Sequence, residues 1–149
     1  MSEVLFYHLI FEPLEHVLPG LLERSLERGW RVVVQCGSDE RVDALNQHLW
    51  TYRDESFLPH GSRQDGMGEQ QPIWLTAEND NPNSASVRFL VDGATVDNSE
   101  DYERVVIIFD GNNPDAVSDA RQVWKVEKEK GHAVTYWAQN EQRRWEKKA

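Results

Sequence analysis

The chain has 149 residues, of which 39% are hydrophobic and 28% charged, a size and composition typical of one globular domain with a substantial core. Its single cysteine, Cys36, excludes an internal disulfide and a cysteine-rich zinc site, and no apolar run reaches the ~18 residues of a membrane span. The formal net charge of −10 disfavours strong direct binding to nucleic acid, because an acidic surface repels phosphates. We therefore expect a cytoplasmic protein with no membrane contact.

Strands and helices alternate in the first third of the chain. An apolar, aromatic-rich run predicts a first strand at 4–11, and leucines at helical spacing predict a helix from Pro13 to Gly29 that Pro19 should kink or restart. The run WRVVVQC at 30–36 predicts a second strand, and its continuous valines indicate burial on both faces, as in a parallel sheet. A second helix follows and ends near Trp50.

Residues 52–72 have no clear periodicity, which predicts a long loop, and long loops are often functional or disordered. Trp50, Phe57 and Leu58 are too apolar for a freely solvated linker, so they either pack on the domain or contact a partner. The polar, glycine-containing part at 61–71 is expected to be mobile.

Strands dominate the remainder. We predict strands at 73–76, 87–91, 105–109 and 132–138, a long helix at 113–131 and a basic tail at 139–149. Strands that alternate with helices predict a single α/β domain over 1–149, with a mostly parallel sheet and helices on both faces.

The helix at 113–131 carries an unusual charge pattern. Trp124 is flanked by Arg121, Lys125 and Lys128, which places an aromatic ring among three cations on one exposed face. From Arg121 onward the chain has eight Lys or Arg and four Glu, whereas the first 120 residues have eight Arg, no Lys and 22 acids. This pattern favours a small acidic partner, the alternative being a solvated lysine-rich tail.

Two strands end in Asp-Gly, at Asp92 and Asp110. Carboxylates at the carboxyl ends of parallel strands can hold metals or act as bases, but Asp-Gly is also ordinary turn chemistry. The sequence has no phosphate-binding loop, no GxGxxG and no GxSxG, and its five histidines lack metal-ligand spacing. We predict no catalytic residue, no metal and no cofactor. The alternative is an α/β enzyme that acts on a nucleotide or phosphorylated substrate through the two aspartates.

Several segments together resemble one family. FYHL, LWTYRDESFLPHG, PIWLT, FLVDG, VIIFDG and DARQVWK, in this order and length, resemble the chi subunit of bacterial DNA polymerase III holoenzyme over essentially the whole chain. The resemblance implies a Rossmann-like three-layer sandwich without enzymatic activity. It also implies an adaptor that links the clamp loader to single-stranded DNA-binding protein.

The resemblance implies two binding surfaces. The first holds the acidic C-terminal tail of single-stranded DNA-binding protein, which ends in Pro-Phe. Its arginine, aromatic and lysine match Arg121, Trp124 and Lys125, and Lys128 adds positive charge. The second binds a clamp-loader component, the psi subunit if present, through Trp50, Phe57, Leu58 and Pro59.

The residue chemistry agrees with the first surface. A phenylalanine side chain packs well on an aromatic wall, and a terminal carboxylate accepts two hydrogen bonds from a guanidinium. In the competing interpretation Trp124 packs against the C-terminal tail of this chain and Arg121 pairs with an acid such as Asp119.

Overall fold

The computed structural model describes residues 2–51, 59–63 and 65–149. Three α-helices lie in these ranges: α1 Leu14–Glu27, α2 Asp39–Thr51 and α3 Pro114–Glu129. The strands are β1 Glu3–Leu9, β2 Val32–Gln35, β3 Gly61–Ser62, β4 Ile73–Thr76, β5 Val87–Leu90, β6 Arg104–Asp110, β7 Ala133–Gln139 and β8 Trp145–Lys147. Short 3-10 turns occupy Gly68–Gln70 and Ser99–Asp101.

All of these strands join one sheet in the order β3-β4-β2-β5-β6-β1-β7-β8. Every neighbouring pair is parallel except β7 and β8. The apolar faces of α1 and α2 pack together on one side of the sheet, and α3 packs on the other. The predicted α/β architecture, a mostly parallel sheet with helices on both faces, is confirmed. None of the helices in the described ranges is long and apolar enough to cross a membrane.

Helix α1 passes through Pro19 without restarting, contrary to one of the two sequence expectations. A proline has no backbone N–H, so the carbonyl of Glu15, four residues earlier, lacks its helical donor. The ring of His48 on α2 supplies a replacement, with Nε2 at 2.7 Å from the Glu15 carbonyl oxygen. The contact between the two helices therefore compensates for the proline.

Helix α3 begins and ends within two residues of the helix predicted at 113–131, because both ends are set locally. The Asn113 side chain accepts hydrogen bonds from the N–H groups of Asp115 and Ala116 at 3.0 and 3.4 Å, with Pro114 at the first helical position. Gly131, at φ 85°, follows the last turn in the left-handed conformation. The helix is thus ended on both sides by its own local contacts.

The C-terminal segment does not remain a tail throughout. Residues Trp145–Lys147 pair with β7 as an antiparallel edge strand, and the Trp145 ring meets Tyr7 edge-on at 4.8 Å between centroids. The segment at 61–71 likewise contains β3 and a 3-10 turn. None of these short elements was predicted from the sequence.

A charged side chain on an interior strand of the sheet is completely enclosed. Arg88 on β5 is completely buried, and its five N–H groups donate to neutral oxygens from four other residues. These acceptors are Gln35 Oε1, the carbonyls of Glu78 and Asp80, and the Tyr102 hydroxyl, at 2.6–3.1 Å.

Candidate functional site

The cationic residues predicted from the sequence lie together on one flank of α3, the flank toward β7. Arg121, Lys125 and Lys128 are exposed on it. Among the described residues, Arg121 and Lys125 form no ion pair or hydrogen bond through their side chains, so the expected competitor, a pair between Arg121 and Asp119, is not present. The guanidinium of Arg121 is therefore available to an external carboxylate.

Trp124 is half-buried, whereas the sequence predicted a ring on an exposed face. Its ring packs on Phe6 of β1 at 5.4 Å and on Tyr136 of β7 at 6.1 Å between centroids. The reason is the sheet order, which extends the sheet beneath this flank of the helix to β7. The ring does not pack on the C-terminal tail, as the competing interpretation required, but forms a fixed wall on the sheet.

The side chain of Lys128 lies over the Trp124 ring. Its Nζ lies 5.9 Å from the centroid of the Trp124 ring, within the range of a cation–π contact. An acidic ligand that reaches the ring would therefore also meet a cation that the ring itself holds in place.

A cluster of aromatic side chains that was not identified from the sequence lies next to the Trp124 ring. His8 of β1 lies between Phe109 of β6 and Tyr136 of β7, at centroid distances of 5.1 and 5.7 Å. Its Nδ1 is hydrogen-bonded to the Tyr136 hydroxyl. Alternation along FYHL and VTYW places Phe6, His8 and Tyr136 on the α3 face, but only the pairing of β1 with β7 brings them together.

Electrostatics ties this cluster to Arg121. Burial lowers the pKa of His8, and the positive charge of Arg121 lowers it further. A backbone hydrogen bond at Gly111 and the negative charge of Asp110 raise this pKa, but they do not offset the lowering. Burial raises the pKa of Tyr136, while Arg121 acts in the opposite direction. The lowered pKa of His8 favours its neutral form, which pairs with the Tyr136 hydroxyl through Nδ1. A side chain at Gly111 would meet the His8 ring, so this glycine is required by packing.

The second predicted surface is described only in part. Trp50, at the end of α2, is 46% exposed, and its ring lies 4.2 Å from that of His60 between centroids. Pro59 is half-buried, whereas Phe57 and Leu58 lie outside the described residues. His60 is buried with Nε2 at 3.1 Å from the Asn46 carbonyl oxygen, so it has a structural role at the end of α2. An exposed tryptophan thus marks this end of α2.

The two aspartates of the alternative hypothesis line one cavity, at the carboxyl ends of β5 and β6. Asp92 forms an ion pair with Arg41 at 2.9 Å, and Arg41 also binds Glu15. Asp110 accepts from the N–H of Asn112 at 2.9 Å, as the turn interpretation predicted. Within the described ranges, no three His, Cys, Asp or Glu side chains form a group that could hold a metal ion.

The single cysteine, Cys36, is a small buried side chain. It is almost completely buried, and burial raises the pKa of its thiol to about 12. The thiol therefore stays protonated at physiological pH and is a poor nucleophile.

Comparison with known proteins adds the family. The family model described as "DNA polymerase III chi subunit, HolC" matches residues 1–135, which include all of α3. A relative from Rickettsia prowazekii (strain Madrid E), described as "Probable DNA polymerase III subunit chi", is 32% identical over 117 residues. That match covers 74% of this chain and 71% of the relative. The chain therefore belongs to the DNA polymerase III chi subunit family and is an accessory, not the catalytic, subunit of that replication machinery.

Proposed function

We propose that this accessory subunit binds the acidic C-terminal tail of single-stranded DNA-binding protein on the α3 flank formed by Arg121, Trp124, Lys125 and Lys128. The observation that carries the proposal is the exposed Arg121 guanidinium, which has no carboxylate partner among the described residues and lies beside a fixed aromatic wall. On a chain with a formal net charge of −10, such a cationic flank is the part suited to an acidic peptide.

The proposed binding mode assigns each part of the tail to a different side chain. The terminal carboxylate accepts two hydrogen bonds from Arg121, and the phenylalanine ring packs on the accessible edge of Trp124. Lys125 and Lys128 attract the upstream aspartates through water. Exposed ion pairs contribute only about 0–1 kcal/mol each, whereas a desolvated arginine or aromatic anchor contributes roughly 2 kcal/mol or more. Arg121 and Trp124 therefore dominate the affinity.

The second predicted surface suits a different partner. We infer that Trp50 and Pro59, with Phe57 and Leu58 next to them in sequence, bind a clamp-loader component, the psi subunit if the cell has one. An exposed tryptophan whose ring is already oriented by His60 supports an interface, because aromatic anchors dominate such surfaces. The protein would then work in the cytoplasm as a non-catalytic link between the clamp loader and coated single-stranded DNA.

The alternative enzyme function gains no support from the site. Asp92 is engaged by Arg41, which it shares with Glu15, and Asp110 is engaged in a turn. Neither carboxylate is arranged as a base for a bound substrate.

NMR chemical-shift mapping of the isotope-labelled full chain with a tail peptide tests where the tail binds. The probe is a nonapeptide with four aspartates and a free C-terminal Pro-Phe, and the matched control has the same composition with Phe moved to the N-terminus. We expect the probe to shift the backbone amides of Arg121 and Lys125 and the indole N–H of Trp124. Shifts confined to another surface, or equal shifts from both peptides, would contradict the proposed site.

A further inference from the structure

A cavity of about 690 Å³ opens at the carboxyl ends of β1, β5 and β6, between the start of α1 and the first half of α3. Asp119 and Val123 line it from α3, so it lies on the flank of that helix opposite to Arg121. Its volume is in the range of ligand sites, and its place at the carboxyl ends of parallel strands is where α/β folds bind ligands. The cavity is separate from the proposed tail site.

The cavity has an apolar floor and two exposed apolar side chains at its mouth. The floor includes Leu90, Ile107 and Ala120, which are buried. Ile10 and Phe11, just beyond β1, are 39% and 45% exposed and also line the cavity. Exposed side chains of this kind next to a cavity are typical of a binding groove.

The charge of the cavity is strongly negative. Six carboxylates and one guanidinium line it. The guanidinium, that of Arg41, is held by Glu15 and Asp92. The other four carboxylates have no cationic partner among the described residues; they are those of Glu12, Asp110, Asp115 and Asp119.

The N-terminus of α3 opens on the same cavity and would by itself favour an anion. Here the Asn113 side chain accepts from two of its N–H groups, and Asp115 lies in its first turn. With the four carboxylates that lack a cation around it, the site repels phosphates rather than attracting them. Charge complementarity therefore selects a cation.

We propose that this cavity binds a basic peptide segment of a partner protein, in which an apolar side chain is flanked by arginine or lysine. The apolar side chain packs against Ile10 and Phe11, and the cationic side chains pair with Asp115, Asp119 and Glu12. Helix α3 thus carries two sites of opposite charge, one on each flank. An acidic tail and a basic segment can bind at the same time without competing.

An NMR titration that monitors the amide chemical shifts of the isotope-labelled full chain tests the proposal. The probes are the blocked pentapeptide Arg-Leu-Arg-Leu-Arg, its acidic counterpart Glu-Leu-Glu-Leu-Glu, and inorganic phosphate. We expect the basic peptide to shift the amides of Ile10, Phe11 and Gly93, and the other two probes to leave them unchanged. Shifts of these amides by phosphate or the acidic peptide, or shifts by the basic peptide only elsewhere, would overturn the proposal.

Two variants separate the charge from the apolar part. The double substitution Asp115→Asn with Asp119→Asn should weaken the basic peptide about five- to tenfold, since each exposed ion pair is worth up to about fivefold. Phe11→Ser should weaken it independently by removing the apolar contact. Glu129→Gln removes an exposed acid of the same helix outside the cavity and serves as the matched control. Equal affinity of the double variant and the control would refute the site.

Discussion

Replacing Arg88 by lysine should destabilise the protein strongly, although the charge is kept. The guanidinium of Arg88 makes five hydrogen bonds in a completely buried setting. A lysine ammonium has three donors on one atom, so at least two of these bonds are lost and at least one of the four acceptors stays buried without a partner. Hydrogen bonds to charged groups are worth about 1.5–3 kcal/mol each. The expected loss in the free energy of unfolding is therefore about 3 kcal/mol or more.

Urea unfolding followed by circular dichroism measures this loss. With a slope of about 2 kcal/mol per molar urea, the midpoint of Arg88→Lys should fall by roughly 1.5 M. Arg63→Lys is the matched control. Arg63 is exposed and forms a single ion pair with Glu78 at 3.7 Å, so the urea midpoint of this variant should not change measurably. A shift below about 0.5 M for Arg88→Lys would show that the buried network is not a major source of stability.

Three further changes test other parts of the account. His48→Ala should lower the free energy of unfolding by about 1 kcal/mol in the wild type. The loss should be smaller in a Pro19→Ala background, because the alanine N–H again donates to the Glu15 carbonyl. Equal losses in a double-mutant cycle measured by urea unfolding would show that His48 does not compensate for Pro19. His8 has a pKa below its ordinary 6.5 in the folded state, so the unfolded chain binds more protons there and stability falls as the pH drops through about 6.5. Urea midpoints at pH 5.5 and 7.5 should differ less in His8→Gln than in the wild type, and an unchanged difference would count against this assignment. Trp50→Ala should abolish capture of a clamp-loader component while lowering stability by only about 1 kcal/mol, and undiminished capture by the variant would place that interface elsewhere.

The sequence predicted those elements whose signals are local. Helix α3 has its cap, its proline and its closing glycine within its own residues, so its bounds could be read directly. Strand β2 has three consecutive buried valines, a pattern typical of a strand covered on both faces. The cationic residues of α3 could be placed on one flank because helical spacing alone determines this.

The parts that the sequence analysis missed depend on which strands are neighbours. Trp124 is half-buried because β7 pairs with β1, and residues of these strands are about 130 positions apart in the chain. The contact of His8 with Tyr136 has the same origin. The acceptors of Arg88 come from separate segments of the chain. No local sequence pattern therefore indicates that this arginine is buried. Strand β8 has three residues, too few for a periodic signal.

Calorimetric titration of the Pro-Phe tail peptide tests the central claim most directly. Wild type and Arg121→Ala are each titrated with the peptide as free acid and as C-terminal amide. Removing either half of the guanidinium–carboxylate pair should weaken binding roughly 30-fold, corresponding to about 2 kcal/mol, and removing both should weaken it little further. Lys128→Ala, the control on the same flank, should lose less than about fivefold. Full affinity of Arg121→Ala, or equal binding of acid and amide peptides, would contradict the account.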